Sequence, residues 1–532
     1  MPPAPACPPA ASAPGPAPSA PGPATPWWRD RVFYEIFVRS FADSDGDGIG
    51  DLRGLTSRLD YLNDGDPTTT TDLGVTGLWL MPIAESPSYH GYDVTDYKAI
   101  ESDYGTIDDF KAFMAAAHER GIEVVVDLVL NHTSIDHPWF ADSRRPGSEH
   151  ADWYVWSDTQ PAVSGPGGVP VWHRDGERWY YGYFWEGMPD LNLRDPDVTA
   201  AIDDVARFWL EDLGVDGFRL DAARHLIEDG AVLQNTPETF AWLEGFRSRV
   251  EAVKPDALLV GEVWDTTSTA SKYVRDGALD MTFEFALAAQ TLSAVRLGDP
   301  GSLAHVQAEV SAAYPAHGYA GFLTNHDQDR TMDVLSRDVP SAKLAATLLL
   351  TGAGVPFVYY GEELGMRGRK PDEAIRTPLA WDASAPGYGF TSGAPWEAMA
   401  PGVESANVAT QTGDPGSLLS HYRALIGLRM ASAALRDGDL IPIGQASPGI
   451  YAYLRHGAGE TVLVVANLTD GPISDPSLTL PDGPLCGTPR ADVLLGAASA
   501  DAPVVTGTGG FSGYVPVDHL DPRQVVVVRL SP

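Results

Sequence analysis

Eight short, almost wholly apolar runs begin near residues 32, 75, 123, 216, 257, 281, 319 and 355 of this chain. Runs such as Gly74–Ile83 and Ile122–Leu130 lack the alternation of a half-solvated strand, so both of their faces must be covered. The segment Arg31–Phe41, aromatic and β-branched, reads as the first of them. A helix–glycine–strand unit recurs along the chain, which predicts a parallel sheet clothed in helices. Eight such strands predict a closed (β/α)8 TIM barrel, an α/β fold.

The unit ahead of Gly217-Phe218-Arg219-Leu220-Asp221 shows the logic. Thr199–Leu213 carries Ile202, Val205, Trp209 and Leu213 at spacings of three and four, one buried face of a helix. Gly214 supplies the stop. On the strand that follows, Arg219 and Asp221 point to one face, and buried charges of this kind need each other or a task. Thr106 and Asp109 form a second helix start of capping-box type, ahead of Phe110, Phe113, Met114 and Ala117.

Polar residues gather where these strands end. Asp127, Asn131 and His132 follow the third strand, Asp221 the fourth, Glu262 the fifth, and Asn325, His326 and Asp327 the seventh. In a barrel those ends converge on one mouth, where active sites are built. Three carboxylates and two histidines meeting there are hard to explain by structure alone.

The remaining segments fall around this barrel. Residues 1–26 are nearly all Pro, Ala, Gly and Ser and read as a disordered tether. Residues 27–132 and 196–436 make the barrel. Residues 133–195 lack the helix–strand rhythm and read as an inserted small domain, most of whose many aromatic rings pack its core. From 437 to 532 the period changes to two, which predicts an antiparallel β-sandwich with no concentration of chemistry.

Net charge is −36, a field that repels nucleic acid and anionic membranes and suits a neutral substrate, with salt tolerance as a further expectation. No apolar run is long enough to span a bilayer. No basic stretch leading into an apolar run opens the chain, so no signal peptide is expected in it. The two cysteines, Cys7 and Cys486, lie far apart with Cys7 in the tether, and no structural disulfide is expected between them. Cys7 at the head of such a tether suggests a lipid-attachment site on an extracellular or secreted protein.

After the first strand runs Asp43-Ser-Asp45-Gly-Asp47-Gly-Ile49-Gly-Asp51. Alternating carboxylates around a tight glycine turn offer oxygen ligands to a hard cation such as Ca2+. The loop is not an EF-hand, because Gly54 stands at its twelfth position and a strand precedes it.

With these residues assembled, the chain from Trp27 to Pro532 resembles the α-amylase superfamily of retaining glycoside hydrolases. The motifs are Asp127-Leu-Val-Leu-Asn131-His132, Gly217-Phe-Arg219-Leu-Asp221, Gly261-Glu262-Val-Trp264 and Phe322-Leu-Thr-Asn-His326-Asp327. The resemblance implies Asp221 as nucleophile, Glu262 as general acid/base and Asp327 as the stabiliser of the transition state. It implies Tyr89, His90, Tyr92, His132, Arg219, Arg224, His225, His326 and Arg376 as substrate-binding residues. It also implies two Ca2+ sites: the Asp43, Asp45, Asp47, Ile49 carbonyl and Asp51 loop, and Asn131 with Asp190 and the His225 carbonyl.

A retaining glycosidase needs two carboxyl groups roughly 5–5.5 Å apart, one to attack and one to protonate. Arg219 is expected to favour ionised Asp221, and neighbouring carboxylates to favour protonated Glu262.

Met188-Pro-Asp190-Leu-Asn192 resembles the intermediary α-amylase group between oligo-1,6-glucosidases and neopullulanases. Ala222 follows the nucleophile where α-1,6-preferring members commonly carry Val. Tyr89-His90 stand where exo-acting members carry a sealing acid, leaving room for an open cleft with a stacking ring. Arg224 departs from the Lys of many amylases. The extra N-terminal domain of the neopullulanase group is not seen, so a monomer is expected. Endo-cleavage of α-1,4-glucans is therefore expected, with a glucanotransferase or an exo-acting α-glucosidase as alternatives. A purely glucan-binding role is remote, since non-catalytic members lack the three carboxylates present here.

Overall fold

A computed structural model describes residues 26–531. Cys7 and nearly all of the expected tether lie outside those residues, and the lipid-attachment reading with them. Cys486 is disulfide-bonded, and the expectation about a bridge between the two cysteines involves Cys7 and so lies outside the described residues as well.

The eight expected strands are present as β1 (Phe33–Ile36), β2 (Gly77–Leu80), β3 (Glu123–Leu128), β4 (Gly217–Leu220), β5 (Leu258–Gly261), β6 (Met281–Phe283), β7 (Tyr319–Gly321) and β8 (Val355–Tyr359). Each pairs in parallel with the next, and β8 closes on β1. Their inward side chains fill the barrel with Phe33, Trp79, Val125, Leu258, Val260, Met281, Phe283 and Phe357, with Phe33 and Phe357 stacked at 4.4 Å. A Cβ on Gly217 would lie 2.2 Å from the Leu258 carbonyl oxygen, so a glycine is required where β4 meets β5.

Two local elements differ from expectation. The run Arg31–Phe41 is a strand only as far as Ile36 and then turns through a short 3-10 helix at Val38–Ser40. The turn places Ser40 Oγ 2.5 Å from the Arg376 carbonyl, tying the top of β1 to the loop after β8. The helix before β4 starts at Pro196 and widens into a π-turn at Phe208–Asp212. This turn buries both Trp209 and Leu210, and the Trp209 indole donates to the Tyr97 carbonyl at 2.9 Å. The capping box of Thr106 and Asp109 opens the helix Ile107–Glu119 as expected.

Between β3 and β4, a three-stranded sheet (Trp156–Ser157, Trp172–Asp175, Arg178–Tyr181) packs around Phe140, Tyr154 and Tyr180. Most rings here serve that packing, but Phe184 and Trp185 stay exposed. The C-terminal part forms antiparallel sheets of five and three strands around Leu454, Val465, Leu480, Phe511 and Val528. Arg455 from it reaches the Thr351 carbonyl at the base of β8 at 2.8 Å. Among the described residues no helix is long and apolar enough to cross a membrane.

Candidate active site

Arg219 organises the mouth of the barrel. It lies in β4 fully buried, and such a charge persists only when paired on every side. Its Nη1 donates to Asp127 Oδ1 at 2.9 Å and to Asp221 Oδ1 at 2.6 Å, while Nη2 donates to Glu262 Oε2 at 2.8 Å. One guanidinium thus holds the carboxylates that follow β4 and β5 on its two adjacent nitrogens. Ala222, in the left-handed region at φ 49°, turns its N–H toward Glu262 Oε2 at 3.1 Å. Asp127 also accepts from Tyr92 Oη at 3.1 Å and Trp79 Nε1 at 3.3 Å.

A second charged group lies opposite. His326 Nδ1 meets Glu35 Oε1 at 2.6 Å, and its Nε2 lies 2.7 Å from Tyr92 Oη and 3.1 Å from Asp327 Oδ2. Arg376 Nη2 binds Asp327 Oδ1 at 2.9 Å, and its Nε donates to the His326 carbonyl at 3.0 Å.

These contacts set the protonation states. Burial pushes Asp221 up to about 6, against the pull of Arg219. The expected stabilisation of ionised Asp221 by Arg219 is present, but desolvation outweighs it. Burial also raises Glu262, opposed by Arg219 and reinforced by Asp221 and Asp327, which suits a general acid. Burial works against charge on His326, yet Asp327 and Glu35 carry it up to about 9. Asp327 is held below the usual carboxylate range: burial opposes this, and His326 and Arg376 prevail. His132 falls to about 3 and His225 to about 4, mainly through burial, so both are neutral donors or acceptors.

A cavity of about 660 Å³ opens over these groups. Asp221, Glu262, Asp327, His90, Tyr92, His132, Arg224, His225 and Arg376 all line it, as do Ala222, Tyr183, Phe184, Trp185, Met188, Trp264, Lys370 and Asp372. Arg219 lies beneath its floor. Tyr89, expected as a stacking ring of an open cleft, is half-buried and is not among the residues lining this cavity. Tyr89 instead stacks on Trp396 at 5.4 Å, under the Arg376 guanidinium.

The comparisons with known proteins agree with this geometry. Residues 35–438 match the α-amylase catalytic-domain model. Alpha-amylase 3 of Dictyoglomus thermophilum is 39% identical over 83% of this chain and 85% of its own. A trehalose synthase of Thermus thermophilus is 37% identical over 83% of this chain, which spans half of that protein. The crystal structure of an α-amylase from H. orenii superposes with a TM-score of 0.82 at 41% identity, covering 94% of this chain and 99% of that one. The chain belongs to the α-amylase family.

It is therefore a retaining glycoside hydrolase or transferase of that family. Sequence reasoning passed over Glu35, Trp79, Lys370 and Asp372, and gave Asp127 and Trp264 no role. Glu35 had a visible signal, a lone carboxylate amid Phe33-Tyr34-Glu35-Ile36. Lys370 and Asp372 had none, since they sit where an irregular loop runs into the four-residue helix Asp372–Ile375.

Two places have the donor chemistry of a hard-cation site. In the first loop, oxygens of Asp43, Asp45 and Asp51 lie within 4.8 Å of one another, which fits an oxygen-liganded cation. Asp47 stands outside that group and accepts from the Ile49 N–H at 2.7 Å. At the second, Asn131 Oδ1 is buried without a hydrogen-bond partner beside the buried Asp190, to which Asn131 Nδ2 donates at 3.0 Å. An orphaned oxygen next to a buried carboxylate suits a cation.

Proposed function

We propose that this protein is an endo-acting hydrolase of α-1,4-glucosidic bonds in starch and maltooligosaccharides. The observation that carries the reading is the Arg219 fork with Asp221 on one nitrogen and Glu262 on the other. Asp221, ionised above about pH 6, attacks the anomeric carbon while protonated Glu262 gives its proton to the departing glycosidic oxygen. Glu262, now a carboxylate, then takes a proton from the water that releases the sugar from Asp221. Charged His326 and Asp327, braced by Glu35 and Arg376, grip the sugar and favour its distorted form.

Endo-cleavage is supported by the size and openness of the cavity and by its exposed Trp185 and Trp264 rings, which offer stacking faces. The α-amylase names of the relatives support it as well. We also propose that Ca2+ is held by Asp43, Asp45 and Asp51, and a second cation by Asn131 and Asp190. When bound, such ions would fix loops and neutralise carboxylates, with no part in the bond chemistry.

The test is a time course on soluble starch with viscosity and reducing ends followed together. A steep viscosity fall with mixed maltooligosaccharides is expected, and Glu262→Gln should cut turnover by orders of magnitude. Glucose released from chain ends alone would make it an exo-α-glucosidase. Products longer than a defined donor would make it a transferase, and trehalose formed from maltose would place it with its trehalose-synthase relative.

A further inference from the structure

Trp264 follows Glu262 by two residues, so the sugar that takes the proton of Glu262 departs on the side of Trp264, and whatever replaces it enters there. Arg224, which follows β4, reaches the same side. Its Nη1 donates to the Trp264 carbonyl, and both residues line the cavity. Its Nε donates to His225 Nε2 at 3.0 Å. That nitrogen is an acceptor because Nδ1–H of His225 donates to the Leu233 carbonyl at 3.1 Å, and burial lowers the ring to about 4. Arg224 Nη2 has no acceptor among the described residues, which leaves it for a sugar hydroxyl.

Behind Arg224 stands a carboxylate that is not among the residues lining the cavity. Asp265 Oδ2 lies 3.6 Å from Arg224 Nη1 and accepts from Asn235 Nδ2 at 2.9 Å, while its Oδ1 accepts from the Thr266 N–H at 2.7 Å. Asn235 holds a left-handed backbone at φ 55°, donates its N–H to the Arg224 carbonyl at 2.8 Å and accepts from Tyr273 Oη at 2.8 Å. Tyr273 is fully buried on the helix Thr267–Arg275 and stacks on Phe240 at 4.2 Å. A packed aromatic pair thus fixes Asn235, Asn235 fixes Asp265, and Asp265 with the Trp264 carbonyl orients the Arg224 guanidinium. The side chains of Arg224 and Asp265 are only 23% and 17% exposed, so solvent and salt screen their attraction less than that of a surface pair.

From this geometry we infer that Asp265 is a positioning residue for an incoming sugar. Acting through Arg224, it sets how the glycosyl group on Asp221 is shared between water and a sugar hydroxyl. In either case the incoming O–H gives its proton to Glu262, and its oxygen bonds to the anomeric carbon as the bond to Asp221 breaks. A sugar needs the grip of Arg224, and water does not. Loss of Asp265 therefore biases the partition toward hydrolysis. The inference rests on the α-1,4-glucan reading above.

The test uses 4-nitrophenyl α-maltotrioside as donor and added maltose as acceptor, with wild type, Asp265→Asn, Asp265→Ala and Asp265→Glu. Released nitrophenol counts every turnover and elongated glucan counts transfer, so their ratio does not depend on how much enzyme is folded. Asp265→Asn and Asp265→Ala should lower the transferred fraction at fixed maltose by about three- to tenfold, the range of a half-buried charged contact. Asp265→Glu, which keeps the charge, should recover most of it. Where Asp265→Ala fails to fold, the equally shaped Asp265→Asn carries the test. An equal ratio in wild type and Asp265→Asn, or a wild type that never transfers to maltose, would overturn the role of Asp265 alone. A wild type that releases no nitrophenol would remove the α-1,4-glucan reading and this role with it.

Discussion

At the scale of single residues, Arg219 and His326 do opposite work with the same physics. Arg219 pulls Asp221 down against desolvation and still leaves it at about 6. Lysine lacks the planar fork that reaches Asp127, Asp221 and Glu262 together. Arg219→Lys should therefore raise Asp221 further and move the acidic limb of kcat/KM to higher pH, about one unit for each ~1.4 kcal/mol of attraction lost. An unmoved limb would show that Asp221 does not govern it. His326 is raised from 6.5 to about 9, so it stabilises the fold fully below its unfolded value, and that contribution fades as pH climbs through about 9. The thermal midpoint of wild type should accordingly drop between pH 6.5 and 9 more steeply than that of His326→Gln. Parallel curves would deny the histidine this charge. Asp221, Glu262 and Asp327 were legible in sequence because short motifs mark them. The dominance of burial over Arg219 was not, because desolvation depends on what the rest of the chain places overhead.

At the scale of elements, the Asp43–Asp51 loop joins β1 to the rest of the barrel. Asp51 caps the helix Leu52–Ser57 through the Gly54 N–H at 2.8 Å, and Asp43 accepts from the N–H groups of Gly46 and Gly48 at 2.7 and 2.9 Å. These bonds shape the loop but leave three carboxylates close together, where like charges repel. A cation binding only the folded loop adds about 2.7 kcal/mol at a hundredfold excess over its Kd. The thermal midpoint should fall on moving from calcium to chelator, and Asp45→Asn should shrink that difference. Identical midpoints in both buffers would leave the loop without a cation. Alternating Asp residues draw the eye to this loop in sequence, whereas the local turn that sets Asp47 apart from Asp43, Asp45 and Asp51 does not show in spacing.

At the scale of the whole molecule, a net charge of −36 spreads over a surface poor in lysine. Self-repulsion of that size opposes the compact state, and salt screens it. Added sodium chloride should raise the thermal midpoint of the wild type, and a steady fall would refute the proposed salt tolerance. The C-terminal sheets are joined to the barrel by the buried Arg455, and the barrel's last helix, Leu418–Ala431, is pinned to the same segment by the buried Arg429. Arg429 donates to the Leu350, Gly352 and Gly354 carbonyls at 2.8–2.9 Å, beside the Arg455 contact with Thr351. Neither residue stood out in sequence, because a guanidinium serving backbone carbonyls leaves no acidic partner to find.

The sequence by itself determined the barrel, since eight apolar strands in helix–strand rhythm have few ways to cover both faces. It also determined the carboxylates at the strand ends, because motif and strand position depend on local order along the chain. Only the tertiary structure decided that one guanidinium holds Asp221 and Glu262, that Tyr89 turns away to Trp396, and that Lys370 stands at the cavity wall. Those facts join residues far apart in the chain, and distance and desolvation exist only once the chain has closed.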